Sequence, residues 1–484
     1  MNRTPPPAAP AFEDLPPRRV ASTEARSEFA VSLAIVTPIL GGGYRARELD
    51  DIDIIRVPTV RGHLRFWWRA LCAGEFKNST ALYEREAQLW GGPGGGIEKA
   101  PALRSPVEVR IEVTGDGTRE TSDIDPQNTL GAYALFPARS ERRQASAEPR
   151  PRRTGVAFRL TVSAPTASIV AVRDAVRAWI LFGGYGGRTR RGLGGLTVTG
   201  PDAATWLPRA GRPLAEELRR LFDRNVFAGG GTARQTPTLA GAALSTIGAI
   251  ESTGVAAWHT AVEALRLFRQ GTSPDRAPAS PGDWARQPGV DRDSKRPSTG
   301  PSKRPSISNW PEPDKIRRLA DRAIRTGPYV HEPRHNETPV WPRAGFGLPI
   351  VGRFQTQGRN GDRYHEPPAF TLKWRESTRA GKIRERLASP LIVKALPLGD
   401  GRFVAIALWL HRAWPAGEIV LEIENKVVPG SAAPFDALVA PGDTPCFTAL
   451  DGKPTLQSAF FAWLARRPGV VTVVPPGDVA GGAR

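Results

Sequence analysis

Residues 183–195 read GGYGGRTRRGLGG, a run of glycine and arginine between a predicted amphipathic helix at 168–182 and a predicted strand at 196–199. Glycine lets a backbone approach a phosphate chain closely, and a guanidinium group can hold phosphate oxygens in pairs. The run lacks the Gly-Lys-Ser/Thr ending of a Walker A loop, and its position after a helix excludes a dinucleotide-binding fingerprint. It therefore predicts either an anion-binding loop or a tight turn with solvated arginines.

The sequence before this loop alternates apolar and polar residues in three places, which predicts strands at 29–35, 107–113 and 156–162. Between the first two strands, Arg61–Leu71 (RGHLRFWWRAL) predicts a helix with one apolar stripe. The polar residues 114–153 predict a protruding loop or hairpin. The resulting order, β-α-β-β-α-β, is that of a ferredoxin-like unit and of the RNA-recognition module.

The second half of the chain predicts a less regular α+β unit. Helices are predicted at 214–224, 255–270, 314–325 and 455–466, and strands at 367–373, 391–398, 403–410 and 470–474. The fold class is therefore α+β, with two ferredoxin-like units and a helical, partly disordered segment between them.

Composition shifts predict the domain boundaries. The prediction is a disordered arm at 1–27, a first domain at 28–200, a helical insertion at 201–335 with a flexible linker at 272–313, a second domain at 336–474 and a tail at 475–484.

The formal net charge of +19 indicates a polyanionic partner, nucleic acid before an anionic membrane surface. Two distant cysteines, Cys72 and Cys446, exclude a disulfide framework and fit a reducing cytoplasm. The first 27 residues lack the apolar core of a signal peptide, and the longest apolar run, Phe403–Leu410, is too short to cross a bilayer.

The predicted helix at 61–71 carries Arg61, Arg65 and Arg69 at four-residue spacing, so these side chains share one face. That face could follow an RNA backbone or could be an ordinary solvated surface. Trp67 and Trp68 are expected in the core, because tryptophans at helical spacing usually pack inside, with stacking on a base as the less favoured reading.

These segments carry a family resemblance. The helix resembles the RG-x-LRFWWRA helix of the RAMP superfamily of CRISPR effector proteins, most closely the first RAMP subunit of type III-B (Cmr) complexes, and the loop at 183–195 resembles the RAMP glycine-rich loop. Segments 341–350 (WPRAGFGLPI), 386–391 (RLASPL) and 308–311 (SNWP) resemble further motifs of that subunit. Residues 272–313 resemble an insertion.

The resemblance implies a non-catalytic RNA-binding subunit near the 3′ end of the guide RNA, which helps capture target RNA and contacts other RAMP subunits. Target cleavage in such complexes belongs to another, repeated subunit. No cofactor, metal or membrane partner is predicted. The predicted RNA-binding residues are Arg61, Gly62, His63, Arg65, Arg69, Gly184, Gly186, Gly187, Arg188, Arg190, Arg191, Gly192, Gly194 and Arg343.

The alternative is a metal-independent endoribonuclease of the same superfamily, which would use His63 as its general base. Other catalytic candidates are weak. His331 and His335 flank Pro333, which prevents a shared helical face for zinc, and Asp50, Asp51 and Asp53 are better explained as a solvated turn or as partners of arginines.

Overall fold

The structure is a computed structural model that describes residues 25–43, 48–93, 102–126, 128–140, 149–229, 231, 234–272, 310–324, 335–354, 366–378, 381–384 and 386–477. Within these residues the strands form three larger antiparallel sheets and one two-stranded sheet. Helices and strands are both abundant, so the predicted α+β class is confirmed.

The N-terminal unit contains the predicted order β-α-β-β-α-β with a few added elements. Its sheet has the strand order β2-β5-β1-β6, and each neighbouring pair is antiparallel. In chain order the elements are β1 (Arg26–Ile35), α1 (Val57–Cys72), α2 (Ser79–Trp90), β2 (Glu108–Gly115), β3 (Thr118–Glu120), α3 (Ala132–Leu135), β4 (Arg152–Thr154), β5 (Ala157–Pro165), α4 (Ile169–Phe182) and β6 (Leu196–Val198).

The remaining elements follow. They are α5 (Ala203–Trp206), α6 (Leu214–Phe222), β7 (Thr238–Glu251), α7 (Gly254–Arg269), α8 (Glu312–Ile324), β8 (Ile350–Gly352), β9 (Phe370–Glu376), β10 (Ile383–Arg384), β11 (Leu391–Pro397), β12 (Phe403–His411), β13 (Gly417–Ile423), β14 (Lys426–Val427), α9 (Leu456–Ala465) and β15 (Val471–Val474). Strands β7, β11, β12 and β15 form a sheet in the order β11-β12-β7-β15, and β8, β9, β10, β13 and β14 form another.

The two four-stranded sheets are built alike. In both, the first strand of the unit lies between the third and the fourth, and the second strand lies at the edge beside the third. The elements β7, α7, β11, β12, α9 and β15 thus repeat the β-α-β-β-α-β order of the N-terminal unit, with long insertions after α7 and after β12.

The predicted helical insertion at 201–335 also contains a strand, β7. Residues 238–251 (TLAGAALSTIGAIE) are mostly small and lack a two-residue apolar period. Helix α1 and helix α7 both contact β7, so much of the strand is buried and its sequence need not alternate.

Several predicted boundaries also change. Strand β1 begins at Arg26 rather than at Phe29, and Arg26 is already in register with Pro165. Helix α1 begins at Val57 because Pro58 fits in a first helical turn, where its missing N–H costs nothing.

At the end of the predicted flexible linker, Trp310 is buried and α8 begins at Glu312, so residues 310–313 do not belong to a linker. Residues 1–24, 273–309 and 478–484 of the predicted arm, linker and tail lie outside the described residues.

Segment 114–153 contains an antiparallel pair, β3 with β4, in agreement with the predicted hairpin. Two arginines at its basic end lie inside the protein. Arg152 and Arg153 are buried, and Arg153 pairs with Asp51 at 2.5 Å.

Local sequence fixes the starts of three long helices. Asn78, Thr253 and Thr455 each accept a hydrogen bond from a backbone N–H in the first turn of α2, α7 and α9, which satisfies a donor that the helix leaves unpaired.

The two four-stranded units meet where α4 ends. Lys394 on β11 is fully buried, and its Nζ donates hydrogen bonds to the carbonyls of Ile180 at 3.0 Å and Gly183 at 2.8 Å. The last carbonyls of a helix lack helical partners and carry partial negative charge, so an ammonium group stabilises them. Burial lowers the pKa of Lys394 to about 7.

Replacing Lys394 with methionine tests this contact. We expect the variant to be less stable by about 1–3 kcal/mol, because two buried carbonyls lose their donor. The difference should depend on pH. The pKa of Lys394 is about 7 in the folded chain, and a lysine titrates near 10.4 when unfolded. Between these two pKa values Lys394 carries a proton in the unfolded chain but not in the folded chain. Raising the pH through this range therefore disfavours the unfolded chain, so the contribution of Lys394 to the free energy of unfolding rises with pH.

Urea unfolding of the wild type and Lys394→Met from pH 7 to pH 10 measures this difference. Lys453→Met, at an exposed position, is the matched control and should show no such trend. A stability difference for Lys394→Met that stays constant across this range would contradict the proposed burial of the amine.

Candidate functional site

The two segments that the sequence singled out lie together in space. Helix α1 and the glycine-rich loop form the walls of a cleft of about 230 Å³, and β11 of the second unit closes one side. The cleft is lined by His63, Phe66, Trp67, Phe182, Gly183, Gly184, Thr189, Arg190 and Ile392.

His63 is held in the cleft by aromatic neighbours. Its ring stacks on Trp179 with centroids 5.9 Å apart and meets the edge of Tyr185 at 6.1 Å. Burial lowers the pKa of His63 to about 4, so the imidazole is neutral at pH 7. Its Nε2 atom is buried and has no hydrogen-bond partner within the described residues.

Arg190 supplies the positive charge of the cleft. Its guanidinium carbon lies 5.6 Å from the centre of the Phe66 ring, a cation–π distance. Burial, and to a lesser extent the charge of Arg412, lowers the pKa of Arg190 to about 10, which leaves the group charged at pH 7. One terminal nitrogen, Nη1, is buried without a partner in the described part of the chain.

The glycines of the loop are required by close contacts within the protein. A Cβ atom on Gly194, which has a φ of 64°, would lie 1.8 Å from the carbonyl oxygen of Tyr185. At Gly192 it would meet the Trp258 ring at 2.5 Å and the carbonyl of Val393 at 2.7 Å. Gly184, Gly186 and Gly187 likewise lie against carbonyl groups or side chains of the chain itself.

The other arginines of the loop have internal partners. Arg188 donates to the carbonyl of Ala134 at 2.8 Å. Arg191 donates to the carbonyls of Leu391 at 3.2 Å and Phe346 at 3.3 Å, and burial lowers its pKa to about 9. Arg191 thus joins the loop to the second unit.

The three arginines of α1 also serve the fold. Arg65 and Arg69 converge on Glu86, which is nearly buried, at 2.8 and 2.5 Å. Arg61 donates to the carbonyls of Trp90 and Val107. The predicted basic face therefore makes contacts within the protein, and these contacts hold α2 and β2 in place.

Arg343, the predicted residue from the second half, is 3.3 Å from Glu312 and lies over the ring of Trp310. It is not among the residues that line the cleft.

Gly62 is exposed on α1 with open space around it. Trp67 and Trp68 are buried, which confirms their predicted place in the core.

A family model covers both walls of the cleft. Residues 32–197 match the RAMP superfamily. The resemblance based on the Arg61 helix and the glycine-rich loop is thereby confirmed over these residues, and the similar segments at 308–311, 341–350 and 386–391 lie beyond the match. No curated protein matches the chain in sequence.

The solved structures that match this chain have low sequence identity. Cmr1 from Pyrococcus furiosus, in its apo form, is 14% identical, with 93% of this chain and 99% of that chain covered and a TM-score of 0.44. A chain of a type III-B Cmr-β complex bound to cognate target RNA is 9% identical, with coverages of 90% and 99% and a TM-score of 0.37. Cmr6 from Pyrococcus furiosus is 12% identical, with coverages of 36% and 98% and a TM-score of 0.20.

The acidic cluster before α1 of the RAMP segment is used structurally. Asp50 accepts hydrogen bonds from the backbone N–H groups of Ile52 and Asp53, and Asp51 pairs with Arg119 and Arg153. Among the described residues, no group of three or more His, Cys, Asp or Glu side chains could hold a metal ion. None of the helices in the described ranges is both long and apolar enough to cross a membrane.

Several residues around the cleft were not among those predicted from the sequence. Lys394 gave a usable signal, since it is a single charge inside the apolar strand LIVKALP. Glu86 and Ile392 gave none, because their contacts with α1 and the loop are long-range. A second, mainly apolar cavity of about 240 Å³, between the segment around α3 and helix α7, contains none of the predicted residues.

Two glycines of the predicted RNA-binding set can be contrasted by the same change to alanine. We expect Gly194→Ala to lower the free energy of unfolding by at least about 2 kcal/mol, because of its left-handed backbone and its contact with Tyr185. Gly62→Ala should instead raise it by about 0.5–1 kcal/mol, as in other exposed helices. Urea titration of both variants measures this, and equal effects would refute the assignment of Gly194 to a close internal contact.

Proposed function

We propose that this protein is a non-catalytic RNA-binding subunit of a type III-B CRISPR (Cmr) effector complex. In this proposal it lies near the 3′ end of the guide RNA, helps capture target RNA, contacts other RAMP subunits and acts in the cytoplasm. The RAMP match over 32–197, the similar segments in the second half and the net charge of +19 support it.

One observation carries the RNA-binding part of the proposal. The cleft holds a charged guanidinium group, Arg190, and a neutral imidazole, His63, and each has a buried polar atom without a partner among the described residues. Buried polar groups are nearly always hydrogen-bonded, so unsatisfied ones in a cleft are suited to a ligand. A phosphate oxygen is a good acceptor for a guanidinium group.

The surroundings of these two groups favour a single-stranded nucleic acid. Phe66 is half-buried, lines the same cleft and offers apolar surface to a ribose or an unpaired base, and Trp67 and Phe182 lie behind it in the core. Thr189 adds a hydroxyl group that could bind a sugar or phosphate oxygen. We therefore propose that the principal RNA contact lies at His63, Thr189 and Arg190, and we treat the other predicted residues of the glycine-rich loop as residues that build the cleft.

We further propose that the chain consists of two ferredoxin-like units. The shared strand order of the two four-stranded sheets supports this. The first unit would correspond to residues 28–200, and the second would begin at β7 rather than at residue 336 and would end at β15.

The contents of the cleft favour binding over RNA cleavage. General acid–base catalysis is most efficient when the pKa of the group lies near the working pH, and His63 has a pKa of about 4. Arginine remains protonated and is a poor proton shuttle. The endoribonuclease alternative would therefore depend on a histidine that is poorly matched to this task.

The binding role is tested in the assembled complex. The tagged chain is co-expressed with its genomic neighbours, as wild type, Arg190→Ala or Arg212→Ala, and target-RNA capture is measured as a function of salt. Arg212 is exposed and does not line the cleft, so Arg212→Ala removes the same charge as a control.

We expect all three complexes to assemble and Arg190→Ala to weaken capture by about tenfold or more, which corresponds to one charge-assisted hydrogen bond. Its log–log salt slope should be shallower by about 0.7, as for one lost phosphate contact to a single strand. Equal capture by both variants would count against the cleft, and failure of the wild-type chain to enter the complex would count against the subunit assignment.

Catalysis is tested separately by incubating the purified chain with guide-like and target-like RNA in Mg²⁺, Mn²⁺ or EDTA. We expect no site-specific cleavage in any of them, because the cleft lacks a suitable proton shuttle. Cleavage that persists in EDTA and disappears in His63→Gln would favour the endoribonuclease alternative.

A further inference from the structure

A cysteine, a histidine and an aspartate form a linked cluster far along the chain from the cleft motifs. Nδ1 of His335 is 2.9 Å from Oδ2 of Asp314 on α8, and both side chains are almost completely buried. The side chain of Cys446 also hydrogen-bonds to His335. The imidazole therefore contacts both a carboxylate and a thiol group.

The charged groups around this cluster are paired with one another. Lys315 on α8 binds Asp443 at 2.5 Å, and Arg317 binds Glu366 at 2.7 Å. Arg317 is also 3.8 Å from Asp314, and Arg318 donates to the backbone carbonyl of His335.

We propose that Cys446, His335 and Asp314 form a reactive thiolate site, in which an imidazolium held by Asp314 stabilises the Cys446 thiolate for oxidation by small hydroperoxides. The arrangement is that of a nucleophile, a base and an orienting carboxylate. A thiolate is the reactive form of cysteine, and a neighbouring imidazolium favours it.

Three further observations agree with this site. Burial by itself lowers the pKa of His335, but the hydrogen bonds to Asp314 and Cys446 outweigh it and raise the pKa to about 9. Cys446 is half-buried rather than enclosed. A small cavity of about 10 Å³ is lined by His335, Asp443 and Pro445 among others. A space of this size admits about one water-sized molecule next to the imidazole.

The reaction balances with hydrogen peroxide as the oxidant. The Cys446 sulfur attacks one peroxide oxygen, so that an S–O bond forms and the O–O bond breaks. The thiolate is oxidised to sulfenic acid and the peroxide is reduced. The leaving hydroxide takes the proton of the His335 imidazolium and departs as water.

Cys72 is an internal control for the reactivity of Cys446. This cysteine is buried in the core of the N-terminal unit, and burial raises the pKa of its thiol to about 12. The two cysteines are therefore expected to differ sharply in reactivity within one sample.

The first experiment alkylates the full native chain with iodoacetamide at pH 6.5 and pH 8.5 and follows each cysteine by mass spectrometry. An ordinary thiol with a pKa near 8.5 reacts about 50-fold faster at the higher pH. We expect a ratio below about 3 for Cys446 and negligible reaction of Cys72. The urea-unfolded chain should give a ratio of about 50 for both cysteines.

The variant His335→Gln should raise the Cys446 ratio toward 50. Because this variant could misfold, the comparison of native with unfolded wild type decides by itself. A ratio near 50, or no reaction, for Cys446 in the native wild type would overturn the proposal.

The second experiment treats the native chain with hydrogen peroxide and traps sulfenic acid with dimedone. We expect labelling of Cys446 and none of Cys72. Absence of label on Cys446 would refute the oxidation step, and neither experiment depends on RNA binding.

Discussion

The buried amine of Lys394 makes the contact on which the cleft depends. It binds the carbonyl of Gly183, the first residue of the glycine-rich loop, and the carbonyl of Ile180 in the last turn of α4. Near the other end of the loop, Arg191 binds the carbonyl of Leu391. Strand β11 of the second unit therefore holds a loop that belongs to the first, and the position of Arg190 follows from both attachments.

Several arginines of this chain stabilise the fold through internal hydrogen bonds and ion pairs. Arg61 and Arg191 donate to backbone carbonyls, and Arg65 and Arg69 share the buried carboxylate of Glu86. Arginine suits these positions because its planar fork offers several donors at once. Part of the positive charge of the chain therefore stabilises the fold. Arg190 differs because it lines the cleft and has one N–H donor without a partner among the described residues.

Much of the N-terminal unit could be predicted from sequence, because its strands have one buried face and alternate accordingly. The predicted strand at 29–35 and helix at 168–182 correspond to β1 and α4. Strand β7 could not be predicted in the same way, since helices pack on it from both units and its sequence loses the alternation. The motifs at 61–71 and 183–195 both contribute residues to the cleft. Which of their side chains reach the cleft depends on long-range partners such as Glu86, Leu391 and Lys394, which no local pattern reveals.

The central claim is that RNA lies between α1 and the glycine-rich loop. Photocrosslinking tests it most directly: a target RNA carrying 4-thiouridine opposite the 3′ end of the guide is bound to the assembled complex and irradiated, and the crosslinked peptides of this chain are identified. The account predicts crosslinks in the peptides that contain His63–Trp67 and Phe182–Arg190. Crosslinks confined to other parts of the chain, in a complex that captures target normally, would contradict it.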